Sequence, residues 1–153
     1  MCSINMFIQG RGLIQSALDG VSEEAYLMIP EGFDNNIAWN LGHIIVTQQA
    51  LIYRLSGLPT VTTEEEIAMF RTGSSPADWS QEPDIGRLLL LLVEAPEKLQ
   101  QDYEAGLFAA FHPYTTSSGI SMKSIEDALA FNNFHEGLHL GSILALRNFT
   151  DGG

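Results

Sequence analysis

With 153 residues, 45% of them hydrophobic and 17% charged, the chain is long enough to bury one proper core and too apolar to be disordered. Acidic side chains outnumber basic ones 19 to 7, and the resulting formal charge of −12 opposes a polyanionic partner such as nucleic acid. Cys2 stands alone, so no disulfide can form within the chain, which fits a reducing cytoplasm. Asn5, Gln9 and Arg11 interrupt any leader-like apolar run, and the most apolar stretch, 88–93, is too short to span a bilayer. The expectation is a single domain over 1–153, cytoplasmic, with neither a membrane nor a nucleic-acid partner.

Hydrophobic periodicity predicts four long helices. The first covers about 4–19, with Ile4, Phe7, Ile8, Leu13, Ile14 and Leu18 as an imperfect stripe weakened by Gly10 and Gly12. Ser22 is placed to cap a short turn before Pro30. The second helix, about 35–55, opens at Asp34 or Asn35 and stops at Gly57-Leu58-Pro59. A short helix at 64–70, capped by Thr62 or Thr63, interrupts the following connection, and Glu64 to Glu66 suit its positive end. The third helix covers about 84–106, with Ile85, Leu88, Leu89, Leu92 and Leu99 facing the core and Pro96 expected to kink or restart it. The fourth covers about 124–149. No strand-like alternation is evident, and the predicted fold is an all-α four-helix bundle.

Two of these helices make an unusual choice. The second carries Asn36, Asn40, His43 and Thr47 on one strip of an otherwise apolar surface, and the fourth carries Asn132, His135, His139 and Ser142. Polar side chains cost burial energy in a bundle core, so two such strips make sense if they face each other across a wet pocket. His135 and His139, four apart, lie one above the other on a helix, where both imidazoles can reach one metal ion at about 2.1 Å. His43 would complete a facial set of three and leave coordination positions open. His112, beside Pro113 and between Phe111 and Tyr114, reads as a surface or packing residue.

The run His135-Glu136-Gly137-Leu138-His139 also matches the H-E-x-x-H pattern of zinc proteases, in which the Glu is a general base. No His or Glu follows His139 to act as a third ligand, and no strand is predicted for pairing with a substrate, so protease chemistry is disfavoured. Glu136 projects about 100° from the histidine strip and is expected to support the site or to lie at the surface rather than act as a catalytic base.

The segments I-A-W-N-L-G-H-I (37–44) and H-E-G-L-H-L-G-S-I (135–143), the latter followed by Leu146-Arg147, resemble the DinB-like superfamily of metal-binding four-helix bundles. The resemblance implies His43, His135 and His139 as ligands of one divalent cation (Zn, Ni, Mn or Fe) and a homodimer. It also implies an enzyme transferring a low-molecular-weight thiol or hydrolysing a small-molecule substrate. Members often carry Gln two residues before the position of Leu144, where this chain has Ser142. Asn36, Asn40, Thr47, Asn132 and Ser142 are the expected pocket residues. The competing readings are a non-catalytic metal-binding or ligand-sensing module and a bundle whose role is dimerisation.

Overall fold

A computed structural model describes residues 3–150 and is mostly helical. Helix α1 spans Ser3–Leu18, α2 Glu23–Leu27, α3 Ile37–Gln48, α4 Glu64–Phe70, α5 Ile85–Glu104 and α6 Ile125–Thr150. The long helices form a square in which α1 and α3 each touch both α5 and α6. α3 is also covered by α2 and α4, which is why its sequence is apolar nearly all round and its residues 40 to 46 are all buried. Side chains fill the space in two clusters, one around Leu41, Ile44, Ile45 and Leu92, the other around Phe7, Ile52, Leu99 and Leu129.

Several local choices fix where α3 and α4 begin and end. Asn36 caps α3 by accepting from the Trp39 amide at 2.8 Å, one residue later than the sequence suggested. The helix expected over 35–55 does not stay α-helical: it widens into a π turn at Gln49–Tyr53 and tightens into a 3-10 turn at Arg54–Ser56. Gly57, with φ +72°, then ends it in the left-handed conformation that suits glycine. Gln49 within the π turn accepts from the Val61 amide at 3.0 Å and so ties the next loop back against the helix. Thr63, not Thr62, caps α4 in a reciprocal capping box with Glu66. Glu66 in turn pairs with Arg87, fastening α4 to α5.

Pro96 does not break α5, which is assigned as one α-helix through it. A two-residue hairpin, Tyr114–Thr115 (β1) with Ser121–Met122 (β2), lies in the loop before α6, where no strand was expected. Among the described residues no helix is long and apolar enough to cross a membrane.

The stripe on α1 also differs from expectation. Leu13 is 60% exposed, and the place it was expected to fill is taken by Arg11, which is 1% exposed between Phe7 and Ile14. Its guanidinium makes a two-point pair with Glu136 of α6, at 2.7 and 2.8 Å, and lies 5.0 Å from the Phe7 ring. Asn132 donates to the same carboxylate at 2.8 Å. A charged pair this deep is not an efficient source of stability, but losing one partner strands the other in a dry core. Arg11→Met should therefore lower the unfolding free energy by about 3–5 kcal/mol in urea titrations, and adding Glu136→Leu should restore much of it. A loss below about 1 kcal/mol in the single variant would mean the carboxylate is reached by water.

Candidate metal centre

α3 and α6 lie side by side, and the contact brings His43, His135 and His139 together. Their candidate ligand atoms all lie within 4.8 Å of one another. The Nε2 atoms of His43 and His135 are 3.2 Å apart. Two imidazole nitrogens bound to one ion at about 2.1 Å, at angles between octahedral and tetrahedral, stand about 3.0–3.4 Å apart. The observed spacing is that of one edge of a coordination polyhedron, so the residues present fit a metal.

Two of the three rings are held in the tautomer a ligand needs. The Nδ1 of His43 donates to the Phe70 carbonyl at 2.6 Å, which can only accept, so the proton sits on Nδ1 and Nε2 offers its lone pair. Asn40 holds His139 in the same way. Its amide nitrogen is committed to Asn35 Oδ1 and the Asn36 carbonyl, leaving Oδ1 to accept from His139 Nδ1 at 2.8 Å. His135 has no such support: its Nδ1 is buried without a partner. The indole of Trp39, one turn before His43, stacks on that ring with centroids 4.7 Å apart and planes 9° from parallel.

Phe70 reaches His43 because of its neighbour Gly42. A Cβ at Gly42 would come within 2.3–2.5 Å of three Phe70 ring carbons, so only glycine lets α4 close this tightly on α3. The Leu-Gly-His order in the sequence carried this signal, although its meaning depends on a residue 27 positions away in the chain. Gly42→Ala should cost about 1–3 kcal/mol by overpacking and should weaken metal binding, because the ring that must move carries the carbonyl holding His43. Equilibrium dialysis against a divalent cation measures the second effect; unchanged affinity would detach the carbonyl from the site.

The predicted pocket residues separate into different roles. Thr47 stays at the centre, its Oγ1 3.5 Å from His43 Nε2. Asn40 orients His139, whereas Asn36 is occupied as a helix cap and donates to the Leu27 carbonyl. Asn132 faces Arg11 and Glu136, not the histidines. Ser142 is half-buried and donates to the Leu138 carbonyl of its own helix. Glu136 is not at the surface: it is 4% exposed, and both carboxylate oxygens are engaged by Arg11. The α1 partner of Glu136 and the Phe70 carbonyl are the two participants that sequence reasoning missed. An arginine inside an apolar stripe was the available sign of the first.

A model of the DinB superfamily matches residues 6–143. The chain belongs to the DinB superfamily. No curated protein matches it. Membership and the three-histidine cluster together fit metal binding in this DinB chain.

Electrostatics keep the three rings neutral. Burial pushes His135 down to about 4, helped by the nearby His43, and pushes His139 down to about 3, helped by His135 and His43. Burial also lowers His43, against the raising effect of its bond to Phe70. Neutral imidazole is the ligating form, so protons compete with a cation only well below the ordinary histidine range. The sign for stability comes from linkage. As pH falls below about 6.5 the unfolded chain takes up protons that the folded chain refuses until about 4, so metal-free protein loses stability across that window. His139→Gln should flatten the slope of unfolding free energy against pH between those limits. An unaltered slope would show that the ring is solvated.

Proposed function

We propose that the chain is a metal-dependent enzyme that activates a thiol, or failing that a water, of a small-molecule substrate. The observation that carries this reading is the pairing of converging Nε2 atoms with two rings fixed as Nδ1–H tautomers. His43, His135 and His139 would hold one divalent ion, and three neutral ligands leave its charge undiminished. Such an ion supplies Lewis acidity, lowering the pKa of a bound water to about 7 and that of a thiol further. Thr47 is placed to accept or donate a hydrogen bond beside the open face. Trp39 shields one side of His43 from water. The three-histidine set suits Zn, Ni, Mn or Fe, since geometry and supply select among them more than ligand type does.

Protease chemistry of the H-E-x-x-H kind has no base here, because Glu136 is bound to Arg11. The exposed apolar side chains Met6 and Leu13 of α1 and Phe134 and Leu138 of α6 support a homodimer.

The test begins with elemental analysis of protein purified without chelating resin. One divalent ion per chain is expected, lost in His43→Ala and retained in Glu136→Gln, with sedimentation giving twice the chain mass. Thiol consumption with a panel of electrophiles should then be abolished by His43→Ala. Protein that neither carries nor binds a divalent ion at micromolar concentration would overturn the reading. Bound metal without turnover of any thiol or ester would favour a ligand-sensing module.

A further inference from the structure

A cleft of about 390 Å³ runs along α3 and its π and 3-10 continuation, closed on the other side by the loop at 60–62 and the end of α4. The three histidines do not line it, but Thr47, whose Oγ1 is 3.5 Å from His43 Nε2, does. Leu51 and Ile67 give it apolar walls. Arg54 and Arg71 stand over it, and no acidic side chain lines it.

That charge is out of character for the chain. Acidic residues outnumber basic ones 19 to 7, and Arg11, Arg87 and Lys98 are each paired with a carboxylate. Among the described residues Arg54 and Arg71 make no ion pair and no side-chain hydrogen bond, although acidic groups are abundant elsewhere on the surface. Each of these two unneutralised guanidiniums over an apolar cleft offers donors suited to two-point binding of a carboxylate. Thr62, 8% exposed, also lines the cleft.

Resting on the reading of the histidines as a metal centre, we propose that this cleft binds a small molecule with an apolar body and a terminal carboxylate. Arg54 and Arg71 hold the carboxylate, and the opposite end, which carries the reacting group, lies at Thr47 before the open metal face. Thr47 and Arg54 are seven residues apart on one continuous helical segment, so the span is on the order of 10 Å, the length of a chain of roughly six to eight atoms plus its end groups. Arg71 directly follows Phe70, whose carbonyl holds His43, so the anion subsite and the ligand orientation share one short piece of backbone.

The experiment uses the full-length protein loaded with Co(II), whose visible spectrum reports coordination by sulfur, and two probes of equal length: mercaptohexanoate and mercaptohexanol. The carboxylate probe should bind at least about tenfold more tightly than the alcohol, and that advantage should disappear in Arg54→Gln/Arg71→Gln, which leaves the histidines and the bound cobalt untouched. It should also shrink as salt is raised. Calorimetry of hexanoate, which has no sulfur, against the metal-free protein reads the anion subsite alone. Equal spectral titrations by both thiols, unchanged in the double variant, would overturn the subsite and leave the metal reading standing. Hexanoate binding that is lost in the double variant, with no thiol altering the cobalt spectrum, would support the subsite and sink thiol activation. Absence of both signals would overturn both.

Discussion

The site depends on how closely α4 approaches α3. The missing side chain of Gly42 lets the Phe70 ring lie against α3, and that single contact has three consequences. The Phe70 carbonyl meets the His43 ring and sets its tautomer. The loop after α4 stays near enough for Ser74 to accept from the Trp39 indole at 2.9 Å, steadying the ring stacked on His43. Arg71, next in the chain, is carried to the edge of the cleft. None of these side chains is unusual by itself; the distance between two backbones is what assembles them.

Much of the fold was legible because helical periodicity is a local property. The long helices lie where apolar spacing put them, and the i, i+4 pair His135 and His139 lies beside His43 as the polar strips suggested. What the sequence concealed was pairing between distant elements. Asn132 and Asn40 looked like equivalent members of facing strips, yet Asn40 serves His139 while Asn132 serves a carboxylate turned toward α1. Ser142 donates to its own helix instead of to the histidines. Glu136 was conspicuous as part of a motif, but its role is set by Arg11, 125 positions away. Spacing along a helix tells which residues share a face and cannot tell which neighbour that face will meet.

The chain uses arginine in two opposite ways. Arg11 is spent on structure: its guanidinium bonds both oxygens of Glu136, binding α1 to the helix that carries two of the histidines. Arg54 and Arg71 are left open to solvent over an apolar cleft. A strongly acidic molecule has few cations to place, and their positions record where negative charge is required inside and where it is admitted from outside.

The π turn after α3 gives the cleft wall its shape. Its helical lining recurs in pairs every four residues: Val46 and Thr47, Ala50 and Leu51, Arg54 and Leu55. On a regular α-helix, steps of four wind away by about 40° each, and a wall built on them would spiral out of line within two turns. Widening the helix at Gln49–Tyr53 brings the period close to four and cancels that drift. The irregularity acts as a phase correction, keeping Thr47 and Arg54 along one side of the helical wall.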